Sequence, residues 1–400
     1  MGRKALAHAR ARAIRAAFDL FSLVTPVRSD FWCFCTWEGY AHTLDNPRAL
    51  FEEVKNDPRI RKIILQKSKS PPSTVEGTRV TFVAAESLYG AYLLARSKVL
   101  VTGYALRGVS SYSSRIRPGR HDLIQLWHGI PLKRIGRLFP HETWWEKETP
   151  HYSAIVCSSE RDREIMAQAF APIPMDRVWL TGLPRNSLIL KEESALPADY
   201  RSALAHLESL LDGRRLVIYA PTWRERPESL YSFSEEEQDV LACLLRRHNA
   251  VLGVRGHANV RHRSVYRDMR ESEAIISLNE FADVNVILRR GHVLVTDYSS
   301  IYIDFLLLDR PIIHFAYDLE AYVRERGFLY DLDDAFGGAC CTTFDHLLTE
   351  LERALVDSDH CRERRLKARR LFHTHSTDAA AAVRDRLFGL LDSPSPKATA

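Results

Sequence analysis

From residue 31 onward, short apolar and β-branched runs alternate with segments of helical periodicity. FWCFCTW, RIRKIILQ, TRVTFVA, KVLVTG, DLIQLWH, AIVCSS and RVWLTG form a first series, and RRLVIYAPT, NAVLGVRGH, AIISLNE, VLVTDYSS, PIIHFA and ACCTTF a second. This alternation predicts parallel sheets with crossover helices, hence two α/β units in tandem. Asn46 and Pro47 open a helix at DNPRALFEEV, and Ser159 with Asp162 forms a capping box before EIMAQAF. Glu235 to His248 and Asp345 to Val356 read as further helices. The polar stretch KEESALPADY separates the series. The expected division is an N-terminal Rossmann-like domain at 29–190, a linker at 191–213, a C-terminal Rossmann-like domain at 214–375, and a helix with a tail at 376–400. A cleft between two such domains is a common place for a ligand.

Residues 1–28 follow a different pattern. Leu6, Ala9, Ala13, Ala17, Leu20 and Val24 recur at helical spacing, Ile14, Phe18 and Phe21 widen the apolar side, and Pro26 ends the segment. Six basic residues against Asp19 carry the whole formal charge of +5, so residues 29–400 are neutral. A basic amphipathic helix can lie in the headgroup layer of an anionic membrane, or pack on the protein's own surface. Asp19 and Ser22 interrupt the only stretch that could serve as the core of a signal peptide, so export is not expected.

Composition narrows the class. A chain of 400 residues with 46% hydrophobic and 27% charged residues is globular and long enough for two domains. No apolar run approaches the roughly 18 residues a membrane span needs. The seven cysteines form no C-x-x-C, which suggests neither a disulfide framework nor a zinc knuckle and points to a reducing compartment.

Ligands gather at the carboxyl ends of parallel strands, and the residues there are chemically rich. They are His128-Gly129-Ile130-Pro131-Leu132-Lys133, Pro221-Thr222-Trp223-Arg224, Arg255-Gly256-His257 and Asp297-Tyr298-Ser299-Ser300. Asp297 or Ser299 can cap the helix that begins IYIDFLLL, and its backbone N–H groups with the Ser299 and Ser300 hydroxyls suit a phosphate. Arg224, Arg255 and His257 add cations from neighbouring strand ends, so a diphosphate is the expected guest. His128 belongs to the first half and reads either as structural or as a catalytic imidazole.

Two metal-like patterns are rejected. Asp331-Leu332-Asp333-Asp334 reads as a solvated acidic loop, and His373-Thr374-His375 lacks a third ligand. No metal is assigned. The chain contains neither G-x-x-x-x-G-K-[ST] nor G-x-G-x-x-G. Its neutral body argues against a nucleic-acid partner.

With these residues in view, the chain resembles the CDP-glycerol glycerophosphotransferase family, the teichoic acid primases, polymerases and related capsule enzymes. The carriers are DNPRALFEEV, LIQLWHGIPLKRIG, CSSERDREIMAQAF, TGLPRNSLI, VIYAPTWRE, VRGH and VTDYSSIYIDFLLLDRPIIHFAYDLEAYVRERGFLYD. Two departures stand out. Relatives usually have R-x-H-P where this chain has Arg255-Gly256-His257-Ala258, and a threonine where it has Ile130.

The resemblance implies an α/β, GT-B-like fold, two doubly wound Rossmann-like domains whose parallel sheets face across a cleft. It implies transfer of a polyol phosphate from CDP-glycerol to a lipid-linked glycan or polyol-phosphate acceptor, at the inner face of the cytoplasmic membrane. His128 would be the base and His257 would bind the phosphates and stabilise leaving CMP, beside Arg255. Thr222, Arg224, Thr296, Asp297, Ser299, Ser300, Asp304 and Gly129 would complete the substrate site. Lys133 and Arg134 would receive an anionic acceptor or form a solvated basic turn. No cofactor is implied, and a divalent-ion requirement stays open. The alternatives are a CDP-ribitol donor or a GT-B glycosyltransferase with another nucleotide sugar.

Overall fold

The computed structural model describes residues 2–35, 45–67, 75–117, 119–139, 141, 143–222, 224, 230–256, 272–374 and 378–392. Two compact units emerge. The first holds the described residues of 1–128, 136–188 and 375–400, and the second those of 129–135 and 189–374.

The first unit is built on seven strands among the described residues: β1 (Arg28–Cys35), β2 (Arg61–Gln66), β3 (Val80–Ala84), β4 (Ser97–Thr102), β5 (Asp122–Gln125), β6 (Tyr152–Cys157) and β7 (Val178–Leu180). They are all parallel, in the order β3-β2-β1-β4-β5-β6-β7. Trp32, Phe34, Leu65, Val101 and Ile124 are buried in it. The second sheet is also parallel, with β8 (Arg215–Tyr219), β9 (Ala250–Val254), β10 (Ile275–Ser277), β11 (Gly291–Thr296), β12 (Ile312–Phe315) and β13 (Ala339–Cys341) in the order β10-β9-β8-β11-β12-β13. Val217, Leu252, Val293, Val295 and Ile313 pack against Leu241, Leu245, Leu347 and Leu351 of two covering helices. Each such buried aliphatic side chain contributes about 1.5–3 kcal/mol. Strand order reverses direction between β8 and β11, and a doubly wound sheet opens a crevice for ligands at such a point.

The N-terminal helix α1 (Gly2–Val24) turns a different face inward from the one its leucines suggest. Ile14, Phe18 and Ser22 are buried; Phe18 packs on Tyr112 at 5.1 Å and Phe21 edge-on to Tyr92 at 5.5 Å. Asp19 pairs with Arg115, and Arg10 donates to the Glu86 carbonyl at 2.9 Å. The larger aromatic edge of the apolar arc wins the packing. Leu6, Leu20, Leu23 and Val24 are left 73%, 55%, 65% and 66% exposed.

Two segments depart from the expected boundaries. Residues 129–135, read as part of the 29–190 domain, join the second unit because Lys133 bridges Phe328 and Leu132 accepts from the Leu329 N–H at 3.0 Å. The terminal helix Ala379–Asp392, expected as a separate element, belongs to the first unit. It stacks Phe388 on Trp32 at 5.2 Å, pairs Arg384 with Glu53 and donates the Ala380 N–H to Ser187. Among the described residues, no helix is long and apolar enough to cross a membrane.

Candidate active site

In the second unit the switch point is organised by Asp297, which directly follows β11. Its Oδ1 accepts from the Thr222 N–H at 2.8 Å and the Tyr298 N–H at 2.5 Å, and its Oδ2 accepts from Arg224 Nη2 at 2.9 Å. Thr296 Oγ1 donates to the Ala220 carbonyl at 2.7 Å, closing the end of the β8–β11 pair. Arg224 also donates to Asp318 at 3.1 Å and to the Thr222 carbonyl at 3.0 Å, and its guanidinium lies over the Tyr322 ring at 4.7 Å. Burial opposes the charge of Arg224, but Asp297 and then Tyr317 and Asp318 outweigh it, so the guanidinium stays protonated beyond its ordinary range. The Thr222 Oγ1, buried, has no hydrogen-bond partner among the described residues. A buried hydroxyl in that state is suited to a ligand oxygen.

Lys133 reaches the same region from the other half of the sequence. Its strand-like pairing with Phe328 sits beside Tyr322, which stacks between Phe328 and Tyr298 at 5.8 and 4.2 Å. Burial pulls the Lys133 ammonium down to about 8, with Asp297 opposing and Arg326 and Arg224 adding to the fall. It is therefore a cation near neutral pH that can lose its proton in mild alkali.

Other predicted residues have different surroundings. Arg255 donates through Nη1 to the carbonyls of Leu278 at 2.9 Å and Phe281 at 2.6 Å, clamping the loop after β10. The helix after Asp297 is short, Ile301–Phe305, and its N-cap is Ser300 without a side-chain cap bond. Neither Asp297 nor Ser299 caps it, because Asp297 is committed to Thr222, Tyr298 and Arg224. Ser299 and Ser300 are half-buried, and Asp304 is buried within the helix. His257 lies outside the described residues. The sequence reading missed His314 on β12, whose Nδ1 meets the Asp297 carbonyl at 3.1 Å while its ring stacks on Phe336 at 3.9 Å. Burial holds His314 down at about 4, so it stays neutral and acts as a donor to that carbonyl. The period-two strand pattern labels it only as another inward position.

His128 stands at the chain's passage between the units, just before Gly129. Its Nδ1 lies 3.0 Å from the Gly103 carbonyl, so Nδ1 carries a proton, and in the neutral form of the ring the lone pair is on Nε2. The ring stacks on Tyr104 at 4.8 Å and leans on Trp127 at 4.5 Å. Trp127 has φ 53°, a conformation disfavoured for a bulky residue, and Gly129 has φ 145°. The turn is tied down from α2 (Asp45–Val54): buried Asn46 donates to the carbonyls of Leu126 and Trp127 at 3.1 and 3.0 Å and accepts from the Arg185 N–H at 2.9 Å. Arg185 in turn donates to the His128 carbonyl at 3.0 Å and pairs with Asp45 at 3.1 Å. Asn46 thus does more than open a helix, a role only its distant partners disclose.

Residues 17–389 match the family described as CDP-Glycerol:Poly(glycerophosphate) glycerophosphotransferase. The chain belongs to this family. The motif resemblance is borne out. A teichoic acid glycerol-phosphate transferase of Staphylococcus aureus is 24% identical over 82% of this chain and 84% of its own. A teichoic acid poly(ribitol-phosphate) polymerase of Bacillus spizizenii is 29% identical over 60% of this chain, and the match spans 39% of that polymerase's length. A solved structure of a histidine-to-alanine variant of the wall teichoic acid polymerase TagF shares the fold with a TM-score of 0.76 at 22% identity, covering 97% of each chain. The fold is therefore α/β and GT-B-like, with two parallel sheets.

Proposed function

We propose that the protein transfers glycerol phosphate from CDP-glycerol to an acceptor hydroxyl and releases CMP. The observation that carries this reading is the Thr222–Arg224–Asp297 constellation with Lys133 at the switch point of the second sheet, in a chain of this family. Arg224, oriented by Asp297 and Asp318, and the Lys133 ammonium neutralise the diphosphate, and the Thr222 hydroxyl meets one of its oxygens. The acceptor oxygen forms a bond to the distal phosphorus while the bond from that phosphorus to the bridging oxygen breaks, and the electron pair leaves with CMP. His128 takes the hydroxyl proton on Nε2, and His257 binds the phosphates. Such a reaction depends on positioning and charge neutralisation. Arg255, with its guanidinium on backbone carbonyls, shapes the loop that borders the donor.

Ribitol phosphate from CDP-ribitol is the second reading, supported by the ribitol-phosphate polymerase among the relatives. The acceptor is a lipid-linked glycan or polyol phosphate, and the enzyme works at the inner membrane face with the outward strip of α1 in the headgroup layer. Incubation with CDP-glycerol, CDP-ribitol or a UDP-sugar and a lipid-linked acceptor, followed by nucleotide analysis and mass spectrometry of the product, tests the reading. CMP with one polyol phosphate added is expected from CDP-glycerol; UDP release without CMP overturns it.

A further inference from the structure

In the second unit, away from Asp297, the helix Phe344–Val356 and the helix Arg362–Phe372 are joined by a turn that brings together Glu350, His360 and Cys361. We propose that these three side chains form a binding site for a zinc-type divalent transition-metal ion, which staples the two helices.

The donor atoms already converge. Glu350 Oε2 lies 2.6 Å from His360 Nε2, Cys361 Sγ lies 3.4 Å from the same nitrogen, and all three atoms fall within 4.8 Å of one another. In a tetrahedral zinc site, Zn–N near 2.0 Å and Zn–S near 2.3 Å place nitrogen and sulfur roughly 3.5 Å apart. The sulfur–nitrogen separation here fits that spacing without rearrangement. The carboxylate–imidazole contact is shorter because a proton is shared between them; replacing it with the metal requires only a fraction of an ångström of opening. Carboxylate, imidazole and thiolate together suit zinc and its cobalt substitute better than magnesium or calcium, which take oxygen ligands.

The surroundings hold these ligands in place. Arg353 donates to the other carboxylate oxygen, Oε1, at 2.6 Å, leaving Oε2 directed at His360. Arg365, buried, donates to the His360 carbonyl and to that of Ser358, fixing the turn's backbone. Outer contacts of this kind orient metal ligands. Cys361 adopts φ 58°, a left-handed conformation costly for a side chain with a Cβ, and that conformation sets its sulfur beside His360. Burial and the Glu350 charge raise the thiol's pKa, while Arg364 and Arg365 oppose them. A bound divalent ion supplies the charge that favours thiolate. Three protein ligands leave a fourth position for water.

The test uses the full, tag-free chain stripped with a chelator and then titrated with Co2+. Wild-type protein is expected to develop a thiolate-to-cobalt charge-transfer band in the near ultraviolet that saturates at one ion per chain and is displaced by Zn2+. Cys361→Ser abolishes this band and His360→Gln weakens binding at least tenfold, whereas Cys243→Ser, at an exposed thiol, leaves the band intact. Absence of the band in wild type, or its survival in Cys361→Ser, overturns the proposal. As a readout independent of variant folding, Zn2+ is expected to slow alkylation of Cys361 in wild type while Cys243 reacts unchanged. Equal labelling of Cys361 with and without Zn2+ likewise overturns it.

Discussion

Arg224 donates to Asp297 Oδ2 at 2.9 Å, and both side chains are buried. That ion pair joins the segment after β8 to the segment after β11 across the reversal of strand order, so one carboxylate sets the positions of Thr222, Tyr298 and Arg224 together. Asp297→Asn keeps the shape and removes the charge. Loss of one partner of a buried pair costs about 3–5 kcal/mol; the remaining bond to Asp318 places the expected loss near the lower end. Urea unfolding checks it, and an unchanged midpoint would show the pair to be dispensable.

His128→Ala is expected to lower kcat by about 10² to 10⁴ while the KM for the CDP-linked donor changes little, since a general base contributes to the chemical step. The ring rests on Tyr104 and donates to the Gly103 carbonyl, while Asn46 and Arg185 hold the turn through backbone carbonyls, so the fold should survive. Steady-state kinetics with donor titration separate the two effects; equal loss in kcat for a donor-hydrolysis control without acceptor would assign His128 another role.

The Lys133 ammonium titrates at about 8. It is charged below that pH and neutral above it, so donor KM is expected to rise as pH increases through 8. Lys133→Met should raise donor KM by roughly 10- to 100-fold at neutral pH, the equivalent of one charge-assisted hydrogen bond. Lys133→Arg should flatten the alkaline limb. A donor KM independent of pH between 7 and 9 in wild type, measured at saturating acceptor, contradicts the role.

Burial holds His314 and His121 each down at about 4, below the ordinary histidine value of 6.5. Between 6.5 and 4 the unfolded chain takes up protons that the folded chain refuses, so stability falls as pH falls through that window. Each ring contributes at most about 1.4 kcal/mol per pH unit. His121 holds the Ser97 carbonyl at 2.6 Å through Nδ1, a bond an asparagine N–H can replace. Chemical denaturation at several pH values should show a shallower acid slope for His121→Asn; an identical slope would remove His121 from the account.

The outward strip of α1 is expected to carry membrane affinity. Leu20→Glu with Leu23→Glu leaves the inward contacts of Ile14 and Phe18 untouched and should reduce co-sedimentation with anionic phosphatidylglycerol vesicles severalfold. Vesicle binding equal to wild type at low salt counts against the helix as the point of attachment.

Much of the fold was legible because parallel strands write themselves locally. Runs such as VLVTDYSS and RLVIYAPT carry both the buried strand and the polar residues after it, and both sheets lie where the runs predict. The strand ends also carry Thr222, Arg224 and Asp297, which the structure brings into mutual hydrogen-bond contact. What each side chain does there was less legible, since hydrogen-bond partners come from distant positions. Asp297 reads as a cap and serves as an anchor; Arg255 reads as a phosphate cation and holds carbonyls of a neighbouring loop.

Sequence alone determined the class of structure and the chemistry at its strand ends, because hydrophobic period and strand-end composition are properties of contiguous residues. Only the tertiary structure decided which residues share a site. Lys133 joins Asp297 through pairing with Phe328, His314 reaches the Asp297 carbonyl from the next strand, Asn46 secures the turn before His128, and α1 turns Phe18 inward. Each of these depends on contacts between segments far apart in the chain, and such contacts are settled by packing and hydrogen-bond satisfaction over the whole fold.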